Sequence, residues 1–489
     1  MEFLTQLLPF QEPAVEKLRK VKVGALYMPM GSGKTRVMLE LIKLRMDKGK
    51  VNAVLWLCPC SVQENLADDI IFHTGQTPKE LNIVIKGIES LPGSHTLYPT
   101  LLDFVSQYNV YLVIDESNLV KNPFATRTQR ITEISKHCSY KAILNGTPVS
   151  KNEADLFAQW YCLDWRILGF ESYYSFAANH LEFRTRVDRR GVEHQTKEIW
   201  RVLDVGQLTS KIEPFSFQIT KRECMKLPPK RYTTRFFYMT DEQEEEYSHT
   251  LDKFLSNVDE TDSTTIYKLF TALQHVSSGR RVTTEATARM ETENIFEDFH
   301  DNPRIECFRD LAQEMEDDQV VVFAKYKEEI REISETLSEL GLTWTEFTGS
   351  MNPKNRQRNL RAFRLGEAQF LLANKQCGAY GLNLQFAHRM IFYSNDFDFA
   401  TRIQAEDRLH RIGQTKEIEI YDICADNSID DMIAKNLDRK DAMLSAFQGK
   451  LKEWQERKEL RVSNRLQDLK DELKKKKSKN IPQKSVISA

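Results

Sequence analysis

Two kinds of hydrophobic pattern alternate over residues 20–160. Short β-branched and aromatic runs fall at 23–27, 53–58, 82–85, 110–114 and 141–144, and amphipathic stretches of helical spacing lie between most of them. That alternation predicts a parallel sheet with helices on both faces. The same rhythm returns at 319–323, 343–347, 369–373, 389–393 and 417–421. The expected fold class is therefore α/β, with two parallel-sheet lobes. No sequence repeat links them, so their likeness is architectural.

Residues 165–300 read differently. Phe170 to Phe183 is aromatic-rich, Arg184 to Lys197 is polar, and Asp241 to Ser248 is acidic and helix-favouring. Mostly helical insertions and a connector are expected here rather than a third sheet. The parse is a first lobe at 1–235 with an insertion at about 165–215, a helical connector at 236–300 and a second lobe at 301–445. A C-terminal helical tail follows at 446–489, its end made basic by Lys474 to Lys477.

Bulk composition narrows the class without choosing a function. A chain of 489 residues is too long for one ordinary core, and its 41% hydrophobic and 29% charged residues suit a globular protein with a charged surface. The net charge of −2 gives no global attraction to nucleic acid, though a local basic channel would suffice. Eight scattered cysteines form no C-x-x-C pair, which argues against a zinc knuckle, and Cys58 and Cys60 read as buried thiols. The N-terminus lacks the features of a signal peptide, and no apolar run is long enough to span a membrane. A cytoplasmic, reduced protein is expected.

The candidate chemistry begins at Met28-Pro29-Met30-Gly31-Ser32-Gly33-Lys34-Thr35, between a strand and a helical stretch. Gly31, Ser32 and Gly33 let such a loop curl so that backbone N–H groups face phosphate oxygens, helped by the positive end of the helix. Lys34 then reaches the β- and γ-phosphates of ATP, and Thr35 ligates Mg²⁺. The strict pattern has glycine where this chain has Met28. An apolar strand ending in Asp115-Glu116 supplies the other half: Asp115 for the Mg²⁺ shell, Glu116 as the general base toward water. Near the far end, Arg408 and Arg411 stand at i and i+3, so one helical face carries both, and arginines from a second domain neutralise charge on a transferring phosphoryl group.

Further segments give a family resemblance. Leu8-Pro9-Phe10-Gln11 resembles an adenine-reading Q motif with Gln11 as reader. Asp115-Glu116-Ser117-Asn118-Leu119-Val120-Lys121-Asn122 resembles motif II of SNF2-type ATPases, and Asn145-Gly146-Thr147-Pro148-Val149 resembles motif III. Leu227-Pro228-Pro229-Lys230 resembles the link leaving the first lobe, and Asn302-Pro303-Arg304 the start of the second. Val321 to Ala324, Phe347 to Ser350 and Gly381 to Leu384 resemble motif IV, the segment after it and the end of motif V. Gln404-Ala405-Glu406-Asp407-Arg408-Leu409-His410-Arg411-Ile412-Gly413-Gln414 is close to the SNF2 signature of motif VI. The chain thus resembles superfamily 2 helicases of the SNF2 branch, and among them the compact phage or bacterial members.

The resemblance implies two RecA-like lobes, ATP and Mg²⁺ as cofactors, DNA as partner and a monomer. It implies a nucleotide site that adds Gln11 and Gly381 to the loop and the arginines, and coupling through Asn118, Gly146, Thr147 and Gln404. DNA contact through Ser61, Ser90, Thr348, Gly349 and Lys375 would grip phosphates without reading sequence. Asn118, Asn145, Phe397 and Lys375 depart from the family's usual His, Thr, Trp and Thr. The implied activity is an ATP-dependent DNA helicase or translocase, unwinding or branch-migrating DNA in replication, recombination or repair. Its rivals are a duplex translocase that strips bound proteins and a nucleotide-switched scaffold with a vestigial ATPase.

Overall fold

The computed structural model describes residues 1–146, 153–187, 193–224, 227–255, 263–283, 290–315, 318–374, 382–395 and 399–436. Thr147, Lys375, Gly381, Phe397 and the basic tail lie outside the described residues.

The first sheet is built from β1 (Val23–Tyr27), β2 (Ala53–Cys58), β3 (Ile83–Gly87), β4 (Val110–Ile114) and β5 (Tyr140–Asn145). After them come an antiparallel hairpin, β6 (Leu181–Val187) and β7 (Glu193–Val202), and then β8 (Ser216–Gln218), which joins the first sheet. The order across that sheet is β3-β2-β4-β5-β1-β8, every pair parallel. In β2 the side chains divide by parity. Ala53, Leu55 and Leu57 enter the core on one face, and Val54, Trp56 and Cys58 enter the core on the other. A strand buried on both faces needs an unbroken apolar run, which is why β1, β2, β4 and β5 were legible.

The second sheet takes β9 (Lys230–Phe237), β12 (Val320–Ala324), β13 (Trp344–Phe347), β14 (Phe370–Asn374), β15 (Arg389–Phe392) and β16 (Ile418–Ala425), with a small antiparallel pair, β10 (Arg280–Val282) and β11 (Thr292–Asn294), between. Its order is β13-β14-β12-β15-β16-β9, again parallel throughout. All ten expected strands are present, with ends shifted by a residue or two, and β16 runs on to Ala425.

The region 165–300, expected to be mostly helical insertions and a connector, also contributes strands. It does hold helices, at Tyr173–His180, Val205–Ile212, Asp241–Leu255 and Ser263–Ser277, but also β6 to β11. The hairpin β6–β7 was hidden because its sequence is rich in charge. Its backbone groups satisfy one another, and Glu182 and Arg201 meet directly across the strands at 2.6 Å. Strand β9, Lys-Arg-Tyr-Thr-Thr-Arg-Phe-Phe, has no apolar run because it lies at a sheet edge. Although 230–235 fell in the expected first lobe, β9 pairs along its whole length with β16 of the second sheet. The helices Asp241–Leu255 and Ser263–Ser277 pack through Tyr247, Ile266, Leu269, Phe270 and Leu273 against Ile429 and Ile433 near the end of the second lobe.

Among the described residues no helix is long and apolar enough to cross a membrane. Cys58 is buried as expected, but Cys60 is exposed, its thiol 3.3 Å from the Ser90 hydroxyl.

Candidate active site between the lobes

Apart from Gln11, which precedes the helix Glu12–Leu18, the described first-lobe candidates lie at the carboxyl ends of parallel strands, where open α/β sheets place their ligands. The Met28–Lys34 loop follows β1, Ser61 follows β2, Ser90 follows β3, Asp115-Glu116 follows β4 and Gly146 follows β5. The sequence orders these segments along the chain; the sheet brings them to one rim.

The loop has the backbone that phosphate binding needs. Gly31 and Gly33 have φ of +73° and +77°, and the helix Lys34–Met46 starts at once. A side chain at either glycine is also excluded by space. A Cβ on Gly33 would stand 2.5 Å from the Gln11 amide nitrogen, and one on Gly31 would stand 2.6 Å from the Arg411 Cβ. Met28, the departure from the strict pattern, puts its side chain wholly into the core. Its carbonyl accepts a hydrogen bond from Lys34 Nζ at 3.1 Å, so its backbone serves the loop whatever the side chain. Gln11 is buried; its Nε2 donates to the Ser32 carbonyl at 2.8 Å and its Oε1 accepts the Leu8 N–H at 2.9 Å. It therefore braces the loop from behind.

Across the rim, Asp115 is pushed up to about 6, first by burial and then by the charge of Glu116, with Lys34 drawing it back. Glu116 adopts φ +50°, a left-handed conformation rare for this residue type, while its N–H donates to Asp115 Oδ1 at 2.9 Å. Such backbone costs about 1–3 kcal/mol and persists at functional sites where the surroundings enforce it. Glu116 Oε2 is buried without a hydrogen-bond partner, as is Asn118 Oδ1. Ser117 between them is fixed by its hydroxyl donating to Gln159 Oε1 at 2.5 Å, a partner that no spacing signal in the sequence announces.

The second lobe reaches the same loop. Arg408 Nη2 approaches Met30 Sδ at 3.4 Å, and the Arg411 side chain lies over Gly31. Burial lowers the pKa of Arg411 from the ordinary guanidinium range, opposed by Asp69 and Asp407, and its Nε is buried with no partner. Asp69, on the helix Gln63–Thr74, was missed by sequence reading. The residue is exposed, yet desolvation of its carboxyl raises its pKa and the charge of Arg411 pulls it back. Gln404 Oε1 is likewise buried and unpartnered.

The unpartnered Arg411 Nε beside the Gly31 turn, with Lys34 close enough to act on Asp115, suits a polyphosphate with its cation. Among the described residues no group of three or more His, Cys, Asp or Glu could hold a metal by itself, so a cation here would share phosphate oxygens with Thr35 and Asp115.

The nucleic-acid candidates are less uniform. Ser61, Ser90 and Gly349 are exposed, and Ser61 and Ser90 lie on neighbouring turns joined by Cys60 N–H donating to Glu89 Oε2 at 2.9 Å. Thr348 is buried, its hydroxyl 3.0 Å from that of Ser350.

Comparison with known proteins gives two family matches in chain order: the SNF2-related domain over residues 67–288 and the helicase conserved C-terminal domain over residues 303–413. An uncharacterized ATP-dependent helicase of Mycoplasma genitalium is 25% identical over 341 residues, covering 68% of this chain and 30% of its own. The TATA-binding protein-associated factor MOT1 of Saccharomyces cerevisiae is 23% identical over 377 residues, covering 67% of this chain and 20% of its own. The chain thus spans under a third of the length of these curated relatives. The Sulfolobus solfataricus SWI2/SNF2 ATPase core in complex with dsDNA aligns over 92% of this chain and 95% of its own, at 19% identity and a TM-score of 0.38. With both halves matched by family models in the order that the two sheets follow, the chain belongs to the SNF2-type branch of superfamily 2 helicases and ATPases.

Proposed function

We propose that the chain is a DNA-stimulated ATPase that couples hydrolysis to movement along DNA, with unwinding or branch migration in replication, recombination or repair as its use. The observation that carries this reading is the meeting of Arg408 and Arg411 from one lobe with the Gly31–Lys34 loop of the other. A site divided between two bodies makes hydrolysis depend on their relative position, which is what a motor requires.

In this reading the amides of Gly31, Ser32 and Gly33 and the ammonium of Lys34 hold the phosphates. Thr35 and Asp115 hold Mg²⁺, which neutralises phosphate charge. Glu116 takes the proton of the attacking water, and Arg408 and Arg411 neutralise charge on the phosphoryl group being transferred. Gln11 ties the base side of the nucleotide to the loop, and Asn118, Gly146 and Gln404 relay the state of the site. Gly381, Thr147 and Lys375 keep the roles their motifs imply. DNA lies across both lobes against Ser61, Ser90, Thr348 and Gly349.

The test is ATP turnover with no DNA and with single-stranded, duplex, forked and four-way DNA. Stimulation by DNA, lost in Lys34→Ala and in Glu116→Gln while Glu116→Gln still binds ATP, is the expected result. Full turnover in Lys34→Ala would sink the site. Strand separation on forks, against displacement of a third strand from plain duplex, distinguishes a helicase from a translocase.

A further inference from the structure

We propose that the helix Pro353–Arg364 is a second phosphate-binding surface, gripping the backbone of duplex DNA outside the cleft; the inference rests on the reading of the chain as a DNA motor. Its sequence, Pro-Lys-Asn-Arg-Gln-Arg-Asn-Leu-Arg-Ala-Phe-Arg, holds five cations and no acid in a chain whose net charge is −2. Leu360 and Phe363 bury one face in the second lobe. Lys354, Arg358, Arg361 and Arg364 are exposed, and at 100° per residue they share the opposite arc. Along the axis they extend about 15 Å, at 1.5 Å per residue.

Several other arginines of this lobe are paired: Arg389 with Asp318 and Glu419, Arg309 with Glu339, Arg402 with Asp422. Among the described residues none of the five cations on this helix has a carboxylate within ion-pair distance. The fifth, Arg356, turns inward to the Phe347 ring, 5.9 Å from its centroid, and so packs the helix onto β13. An unpaired row of like charges repels itself, a cost with no return inside the fold. A polyanion supplies the missing partner.

Placement favours DNA. The helix begins just beyond the exposed Gly349 and Ser350 and is capped by Asn352 Oδ1, which accepts the Asn355 N–H at 2.8 Å. It flanks β13, the strand that ends its sheet on the side away from β9. A duplex touching Gly349 and continuing outward would meet this row next. Contacts of this kind carry no sequence information and depend steeply on salt.

The experiment is equilibrium binding of the full chain to fluorescent duplex DNA across a salt series. It compares wild type with Lys354→Ala/Arg358→Ala/Arg361→Ala/Arg364→Ala, and with the milder Lys354→Ala/Arg361→Ala. The expected result for the fourfold variant is weaker binding, with the slope of log affinity against log salt shallower by up to about 4, roughly one unit for each phosphate contact removed. The double variant should lose about half as much, and ATP turnover without DNA should be unchanged in both. Equal affinity and slope in all three proteins would overturn the assignment while leaving DNA-stimulated ATPase activity intact. A wild type that DNA neither binds nor stimulates would overturn the motor reading and this surface together. An acidic polypeptide that wild type binds and the fourfold variant does not, with DNA affinity and slope unchanged, would assign the row to a protein partner instead.

Discussion

Arg402 and Arg411 come from one short stretch of the second lobe, and both are withdrawn from solvent, yet their surroundings are opposite. Arg402 donates to Asp422 Oδ1 at 2.5 Å and Oδ2 at 3.0 Å, to Glu406 Oε1 at 2.7 Å and to Asn395 Oδ1 at 2.7 Å, and it lies over the Phe392 ring. Burial works against its charge, but those carboxylates outweigh burial and hold its pKa above the ordinary range. Arg411 is displaced the other way, because burial outweighs the more distant Asp69 and Asp407, and its Nε has no partner. One guanidinium is satisfied by the fold; the other is kept for something the fold does not contain. That difference separates a residue that builds the lobe from one that, in the proposed function, acts across the cleft.

Substitution should split the two cleanly. Arg411→Ala is expected to lower DNA-stimulated ATP turnover by about 10³-fold or more, the range for arginines supplied to a phosphoryl group, with melting temperature unchanged. A turnover within a few-fold of wild type would erase the contrast. Arg402→Ala is expected to act on stability instead. It leaves Asp422 and Glu406 buried without their main partner, a loss of about 3–5 kcal/mol that calorimetry would read as a large fall in melting temperature.

An intermediate case sharpens the comparison. Glu406 is also held by Lys230 Nζ at 2.7 Å and the Tyr232 hydroxyl at 2.8 Å, and Asp407 by Lys221 at 2.6 Å. His410 Nε2 lies 2.8 Å from the Pro228 carbonyl. The link between the lobes thus clasps the stretch that carries the arginines. Lys230→Ala should cost about 1.5–3 kcal/mol, less than Arg402→Ala, and should also reduce turnover several-fold through misplaced Arg411. A stability loss with no effect on turnover would confine the clasp to folding.

The smallest effect concerns pH. His73 in the first lobe and His275 in the second are both lowered to about 4, chiefly by burial. Each is neutral in the fold, while in the unfolded chain it binds a proton below about 6.5. Stability is therefore full above about 6.5 and falls as pH drops toward 4. Melting temperature should decline over that window, and less steeply in His73→Gln; an equal slope in that variant would remove His73 from the account.

How much of this was legible follows from which residues carry more than one signal. The strand β2 announces itself because both faces are apolar, and the loop at Gly31–Thr35 because glycine spacing is demanded by its backbone. Strand β9 and the hairpin β6–β7 were missed because edge and two-stranded elements need no apolar run, so their charged residues resemble a helix or loop. In the site, Lys34, Asp115, Glu116 and Arg411 each carried a motif, and the fold sets Arg411 over the Gly31 turn and Lys34 within electrostatic reach of Asp115. Asp69 and Gln159 had no motif to mark them, since their roles arise only from packing between elements distant in sequence. Thr348 carries a motif signal for DNA but no signal for its burial, which arises from the fold, with its hydroxyl 3.0 Å from that of Ser350.

The central claim is that one chain supplies both halves of the nucleotide site, the loop at Lys34 and the arginine at Arg411. Mixing equal amounts of Lys34→Ala and Arg411→Ala proteins with saturating ATP and DNA tests it directly. The account predicts turnover equal to the sum of the two variants measured separately, because each chain still carries its own broken site. Recovery of turnover well above that sum would show Arg411 acting on a neighbouring copy, and would contradict the account.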